Sequence, residues 1–111
     1  MSVRPLVFGY LRTQPGVTDG LVAWMRGDLA DYAEREGFAL AGVFVEHADG
    51  GSSALMALID ALNRHEAQAI VVPALQHFSL DPADGHALRL LVERETGAPV
   101  LVMYPSAGDP A

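Results

Sequence analysis

Cysteine and lysine are both missing from this sequence. Without cysteine there is no disulfide bond, thiolate zinc site, iron–sulfur cluster or thiol nucleophile. Without lysine, the 7 basic residues are all arginines. The sequence has 14 acidic residues, so its formal net charge is −7. Because nonspecific DNA binding depends mainly on neutralising phosphates, we expect no stand-alone nucleic-acid binding.

Long apolar runs are missing as well. No run approaches the roughly 20 residues that cross a bilayer, and residues 1–7 lack the apolar core of a signal peptide. We therefore expect a cytoplasmic protein that does not contact membranes. Neither of the glycine-rich motifs that bind nucleotides follows a strand, so the sequence predicts no nucleotide cofactor, and it implies no other cofactor.

The composition supports a packed core. Half of the 111 residues are hydrophobic and 19% are charged, a balance that argues against disorder. At this length we expect one domain, 1–111, with an ordered core at about residues 4–104 and a flexible tail at 105–111.

Short β-type runs alternate with longer helical patterns along the chain, which is typical of βαβ units. The runs predict strands at residues 6–11, 38–45, 69–72 and 99–103. Apolar spacings of three and four predict helices over residues 19–36, after Ser52 or Ser53, and from Asp81 to Gly97. The predicted architecture is a three-layer α/β fold of four mostly parallel strands with three flanking helices, the very apolar third strand lying centrally.

Small polar residues stand where the predicted helices begin. The candidate caps are Thr18 or Asp19 for the first helix, Ser52 or Ser53 for the second, and Asp81 for the third. On the third helix, Leu88, Leu91 and Val92 form the stripe that we expect to be buried.

Ligands of parallel α/β sheets usually meet the carboxyl ends of the strands, where residues 10–14, 46–50 and 76–79 should converge. Glu46, His47 and Asp49 lie close together there, and His77 can approach them across the sheet. Nothing in their spacing enforces ligand geometry, so we predict no metal site. The hydroxyls of Ser52, Ser53 and Ser79 fit helix caps and turns more readily than nucleophiles.

Arg12 is the more informative residue at this edge, because it follows the first predicted strand. Its planar guanidinium suits phosphate or carboxylate, which makes Arg12 a candidate anion-binding residue. An ion pair with Glu46 or Asp49 would explain its position equally well, and the sequence leaves both interpretations open.

Three segments together resemble the catalytic domain of serine recombinases of the resolvase and invertase type. They are residues 8–14, 44–50 and 75–79, in that order on a matching βαβ pattern, and the resemblance spans residues 4–103. It implies a resolvase-like fold. For an intact member it also implies a serine that attacks the DNA phosphodiester to form a phosphoseryl link, while several arginines neutralise the phosphate.

The first segment keeps only part of the motif that the resemblance implies, which is Tyr-x-Arg-x-Ser. Tyr10 and Arg12 match it, but Gln14 stands at the position of the nucleophile and cannot form the covalent link. The adjacent Thr13 would point to the opposite side of an extended strand.

The other two segments depart further from the family pattern. After the second strand, the family pattern is Asp-x-x-Ser-Gly followed by an arginine. Glu46 and Gly50 match it loosely, but Asp49 replaces the serine, and the first arginine after this loop is Arg64. After the third strand, the family pattern is Leu-Asp-Arg-x-x-Arg. His77 and Leu80 occupy its two arginine positions here. We therefore expect no catalytic residue and a degenerate site formed by Tyr10, Arg12, Gln14, Glu46, Gln76 and His77.

The resemblance also implies an oligomerisation helix and a separate DNA-binding domain after the last strand. The sequence stops at Ala111, so we expect a solitary domain, a pseudoenzyme of this fold. Its useful surface would then be apolar residues that the core does not explain. Trp24 lies about 120° from the middle of the first helix's stripe, and Leu90 lies opposite the stripe of the third helix. These are the interface candidates.

Two functions follow as expectations. The first is a protein–protein interaction or regulatory module, linked to a DNA transaction, whose partner is another protein or a second copy in a homo-oligomer. The alternative is an enzyme or small-anion-binding protein that uses Arg12 for the anion and His77 as acid or base. A cavity joining Arg12, Glu46, Gln76 and His77 would favour the alternative, whereas a cleft closed by Phe78 would favour the interaction module.

Overall fold

A computed structural model describes residues 3–47 and 51–105. Its sheet contains β1 (Leu6–Arg12), β2 (Ala39–Glu46), β3 (Ala69–Val72) and β4 (Val100–Val102) in the order β2-β1-β3-β4. All three neighbouring pairs are parallel. The predicted fold class is confirmed, including the central position of the strand at 69–72.

Three helices and one short turn connect the strands. They are α1 (Asp19–Arg35), α2 (Ser53–Asn63), a 3₁₀ turn at Leu75–His77 and α3 (Pro82–Thr96). Two predicted caps are confirmed: Thr18 Oγ1 accepts from the Leu21 N–H at 3.1 Å, and Asp81 Oδ1 accepts from the Ala83 N–H at 2.9 Å. Gly97 ends α3 in the left-handed conformation, with φ 72°, as its position predicted.

The predicted cap position of α2 is confirmed at Ser52, but the capping group is not the serine hydroxyl. Ser52 occupies the N-cap position, but neither it nor Ser53 caps the helix through its own side chain. The Glu46 carboxylate at the end of β2 accepts from the Ala54 and Leu55 N–H groups instead. Sequence spacing could not show this, because the capping oxygen comes from another element.

The sheet separates two apolar layers. On one face α1 packs over a cluster of buried residues, namely Val7, Leu11, Leu29, Ala33, Ala69 and Val71. On the other face α2 and α3 cover a larger cluster that includes Phe8, Tyr10, Leu58, Ile70, Phe78 and Val92. Alternate residues of β1 therefore serve opposite cores, which explains the continuous apolar character of this strand.

The predicted apolar stripes are only partly buried. Val92 is fully buried, but Leu91 is exposed and Leu88 is half-buried, so the expectation for Leu91 is wrong. Leu91 lines a cavity beside Leu88 instead of packing in the core. Trp24 and Leu90 are exposed as expected, with 64% and 53% of their surfaces accessible.

Some predictions fall on other parts of the chain. Asp49, Gly50 and the tail after Pro105 lie outside the described residues. Within the described ranges, no helix is long and apolar enough to cross a membrane.

Candidate functional site

The candidate site lies where the carboxyl ends of β1 and β2 meet the 3₁₀ turn that follows β3. Parallel pairing sets Arg12 beside Glu46 at the end of the sheet. The turn brings His77 against Arg12 from the other side. Tyr10, Arg12, Glu46 and His77 therefore converge as the sequence predicted.

Tyr10 and Glu46 form the buried floor of this site. The Tyr10 hydroxyl donates to Glu46 Oε1 at 3.2 Å, and the two residues are 0% and 1% exposed. The pKa of Tyr10 is raised to about 12, and burial is the largest cause. The adjacent Glu46 carboxylate also raises it, whereas Arg12 lowers it. The phenol stays protonated near neutral pH and acts as a hydrogen-bond donor.

Glu46 is held as a carboxylate by donors from α2. Its Oε1 accepts from the Leu55 N–H and its Oε2 from the Ala54 N–H, both at 3.1 Å, and the Ser53 hydroxyl donates to Oε2 at 3.4 Å. Burial alone would raise the pKa of Glu46, but these backbone donors and Tyr10 outweigh it and lower the pKa. The charge also lies at the positive amino end of the helix.

Arg12 donates to three oxygens of the protein. Its guanidinium reaches the Tyr10 hydroxyl at 3.3 Å, the His77 carbonyl at 3.2 Å and the Gly51 carbonyl at 3.4 Å. Among the described residues it forms no ion pair within 4.0 Å, so the direct pair with Glu46 that the sequence left open is not formed. The other carboxylate considered, that of Asp49, lies outside the described residues. The Tyr10 hydroxyl lies between Arg12 and Glu46 and accepts from the first while donating to the second.

His77 is fixed by the backbone of β1. Its Nδ1 accepts from the Arg12 N–H at 2.9 Å, an arrangement that requires neutral imidazole with its proton on Nε2. Burial, and then the Arg12 charge, lower the pKa of His77. The imidazole therefore joins β1 to the 3₁₀ turn rather than standing free as a base.

The hydroxyl nearest the expected nucleophile position faces into the protein. Thr13 is 8% exposed, and its Oγ1 lies 3.3 Å from the Glu46 carbonyl oxygen, to which it donates. Its N–H donates to the same carbonyl at 2.9 Å. Gln14 is exposed and lines the cleft. The predicted opposite orientation of these neighbours agrees with this geometry.

Phe78 closes the site over Tyr10. The two rings are stacked 5.6 Å apart at 19°, and Phe78 is 2% exposed.

Two cavities flank the exposed Leu80: one of about 660 Å³ runs toward Leu88 and Leu91, and one of about 230 Å³ runs toward α1. Arg12 and Gln14 line both. Gln76 and His77 line only the smaller one, and Glu46 lines neither.

The remaining candidates lie outside this network. Ser79 accepts from the Asp81 N–H at 3.3 Å, which is the turn role that the sequence indicated. Within the described residues, 3–47 and 51–105, no group of three or more histidine or acidic side chains is placed to hold a metal ion. Sequence reasoning missed the backbone carbonyls of Gly51 and His77, which accept from Arg12. Every residue type has a backbone carbonyl, so the sequence carries no signal for this role.

Comparison with known proteins supports the fold. No protein-family profile matches the sequence, and no curated protein gives a significant match. The C-terminal catalytic domain of ISC1926 TnpA, an IS607-like serine recombinase, matches with a TM-score of 0.75 at 12% identity, covering 92% of this chain and 72% of that chain. The N-terminal catalytic domain of TP901-1 integrase matches with a TM-score of 0.66 at 17% identity, covering 88% and 76%.

A third structure agrees with these two. The first open reading frame of transposon ISC1904 from Sulfolobus solfataricus P2 matches with a TM-score of 0.57 at 14% identity, covering 94% of this chain and 71% of that chain. At these identities the likeness establishes the fold, which confirms the resolvase-like architecture that the motifs predicted.

Proposed function

We propose that this chain is a non-catalytic relative of the serine recombinases that acts through contact with another protein chain in a DNA transaction. The fold supports the relationship, together with Tyr10 and Arg12 at the matching positions of β1. The observation that carries the proposal is Gln14 at the position of the nucleophile, beside an Arg12 whose guanidinium donates to oxygens of the protein itself.

A missing hydroxyl removes the covalent route. Gln14 has no oxygen that can form a phosphoester, and Thr13 directs its hydroxyl at the Glu46 carbonyl. For Thr13 to attack a phosphate, its hydroxyl would have to break its hydrogen bond to that carbonyl and turn out of a buried position. This cost makes Thr13 a poor substitute nucleophile.

Missing cations remove the transition-state stabilisation. The family pattern implies arginines at the positions of His77 and Leu80, and here they are a neutral imidazole and an exposed leucine. Each lost donor to a developing oxyanion costs about 3 to 4 kcal/mol of stabilisation. Arg12 alone cannot compensate for them.

The closing of the site points to the interaction module rather than to the alternative. Of the two cavities that Arg12 lines within the described residues, neither includes Glu46 and only the smaller includes Gln76 and His77, while Phe78 covers Tyr10. One observation still favours a small anion: Arg12 lines a cavity of about 660 Å³, a volume within the usual range of ligand sites. Titration calorimetry with inorganic phosphate, using Arg12→Gln as the control, tests that alternative.

A DNA-nicking assay tests the proposal. Purified chain is incubated with supercoiled plasmid at low salt, where nonspecific binding is strongest. We expect no relaxed or nicked product from the wild type, Thr13→Ala or Ser79→Ala. Nicking by the wild type that Thr13→Ala abolishes, while Ser79→Ala retains it, would overturn the proposal.

A further inference from the structure

The strand at one edge of the sheet is paired on one side only. β4 is the last strand in the order β2-β1-β3-β4 and contains three residues, Val100–Val102. The Pro99 carbonyl accepts from the Ile70 N–H at 3.0 Å, so the backbone of Pro99 faces β3. Successive residues of a strand direct their N–H and C=O groups to alternate sides. Val100 and Val102 therefore direct theirs away from the sheet.

The outward groups of Val100 are bonded by two side chains of α3. Glu93 Oε2 accepts from the Val100 N–H at 2.9 Å, and the Arg89 guanidinium donates to the Val100 carbonyl at 3.0 Å. Arg89 and Glu93 lie one helical turn apart, and their charged groups are 3.9 Å from each other. Their side chains are only 19% and 30% exposed, so both are held against the protein. Together they form a strap across the edge of β4, the edge strap.

The edge strap makes the hydrogen bonds that an added strand would make. A neighbouring strand offers each outward residue one N–H donor and one C=O acceptor. Here a guanidinium N–H replaces that donor, and a carboxylate oxygen replaces that acceptor. Both bonds involve an ionised side chain, which makes them stronger than bonds between neutral peptide groups. An incoming strand would have to displace Arg89 and Glu93 and leave both charges without these partners.

The sequence of β4 makes an open edge hazardous. Residues 100–104 are five consecutive hydrophobic residues without charge, glycine or proline, a composition typical of segments that pair between chains. Edge strands are commonly protected by being short and by charged side chains. β4 is short but carries no charge of its own, so the charges come from α3. With Val100 occupied, Val102 is the one outward residue of the strand that another chain could still bond.

The other outer strand of the sheet is interrupted by a different feature. Val7 and Phe8 of β1 pair with Leu40 and Gly42 of β2, so Ala41 stands between them as an extra residue. An extra residue of this kind is a β-bulge, which bends an edge strand and disrupts its pairing. Each outer strand thus carries a feature that opposes pairing with another chain.

We infer that Arg89 and Glu93 close the β4 edge against strand addition by another protein chain. This inference goes beyond the proposed function and does not depend on it, because the edge includes none of the candidate site residues. It limits how a partner can bind, since a contact with this chain should not extend the sheet at β4. From the sequence alone the two residues are an ordinary pair of opposite charges at i and i+4.

The first experiment compares two double variants of α3. Arg89→Ala/Glu93→Ala, the strap variant, removes the edge strap. Arg94→Ala/Glu95→Ala, the control variant, removes the same residue types from exposed positions of the same helix. Both keep the net charge at −7, so repulsion between chains is unchanged, and alanine favours the helix. Analytical ultracentrifugation measures association over a range of concentrations, and the infrared amide I band measures intermolecular β-sheet.

The strap variant should associate at a concentration about tenfold or more below that of the wild type, with a gain in intermolecular sheet. The control variant should match the wild type, and circular dichroism verifies that each chain is folded. If the strap variant does not fold, Glu93→Ala replaces it, with Glu95→Ala as control. A folded variant without the strap that associates no more than the wild type, or associates without a gain in sheet, overturns the inference.

Hydrogen exchange tests the edge strap at the level of single amides. The Val100 N–H should exchange about tenfold or more slowly in the wild type than in Glu93→Ala, because its acceptor is then missing. In the associated strap variant the Val102 N–H should also become slow, since it is the other outward donor of β4. Equal exchange of Val100 in both chains, or slowing that spares Val102, contradicts the inference. Plasmid nicking by the wild type would overturn the proposed function and leave this inference unaffected.

Discussion

The N–H of Arg12 donates to Nδ1 of His77 at 2.9 Å, which ties the last residue of β1 to the turn that leads into α3. The Arg12 guanidinium returns the contact by donating to the His77 carbonyl at 3.2 Å. Arg12 and His77, which stand at two positions where the recombinase pattern implies arginine, are therefore bound to each other. The geometry of the cleft depends on this pair.

Acid should weaken the contact between Arg12 and His77. Burial lowers the pKa of His77 below its usual value of about 6.5, so the unfolded chain binds more protons than the folded protein between the two values. The stability that neutral His77 provides should be complete above about pH 6.5 and decline as the pH falls through this window. Urea unfolding at closely spaced pH values measures the decline.

A variant pair isolates the contribution of His77. His77→Asn keeps an acceptor near Nδ1 without a titrating group, and should remove the decline between about pH 6.5 and the lowered pKa. His65→Asn is the matched control, because His65 is exposed with φ 60°, a conformation that asparagine tolerates. An unchanged decline in His77→Asn would contradict the prediction.

Glu46 should contribute to stability in a more acidic window. Its pKa in the folded protein lies below the ordinary value of 4.5, so its contribution is complete above about pH 4.5 and is lost as the pH falls through the lowered pKa. Glu46→Gln should unfold with a smaller pH dependence below pH 4.5. It should also lose about 1 to 3 kcal/mol at pH 7, because a charged cap of α2 is gone. Equal pH profiles of variant and wild type would refute this.

Tyr10→Phe should destabilise the fold without changing its shape. The substitution removes the hydroxyl that donates to Glu46 and accepts from Arg12, and leaves a buried carboxylate with one donor fewer. We expect a loss of about 1 to 3 kcal/mol in the free energy of unfolding. Tyr104→Phe, at a tyrosine that is 62% exposed, should change it by less than about 0.5 kcal/mol. Equal effects at both positions would argue against the Tyr10 network.

Gly85→Ala should destabilise the protein although alanine favours helices. A Cβ at Gly85 would lie 3.0 Å from the Leu75 carbonyl oxygen and 3.3 Å from that of Ser79, and neither backbone atom can rotate away. We expect a cost of about 1 to 3 kcal/mol by thermal or urea unfolding. Gly27→Ala, where the added Cβ meets nothing, should gain up to about 1 kcal/mol in dilute solution. A stabilised Gly85→Ala would show that α3 can move away from the turn.

Local signals in the sequence predicted most of the fold. The strand at 69–72 matched residue for residue, and Asp81 and Gly97 set the limits of α3, because turn and cap chemistry depends on neighbours in the chain. Periodicity failed at Leu91, because the helical spacing identifies a face of α3 but not the cavity that Leu91 lines on that face.

The residues of the candidate site were predictable, but their partners were not. Position after a strand identified Arg12, Glu46 and His77 as neighbours. The same reasoning left open whether Arg12 pairs with a carboxylate or binds an anion, and it did not foresee that the Tyr10 hydroxyl lies between Arg12 and Glu46. Contacts made by carbonyls and by a side chain that caps a distant helix depend on tertiary packing, which spacing does not encode.

Intact-mass spectrometry of the chain after incubation with supercoiled DNA and nuclease digestion tests the absence of covalent chemistry most directly. A protein–DNA phosphoester would leave a nucleotide remnant on the attacking side chain, which peptide mapping can locate. We predict that the protein keeps its unmodified mass of 11.8 kDa at every time point. A stable adduct mapped to Thr13 or to another hydroxyl of the strand-end cleft would contradict the account.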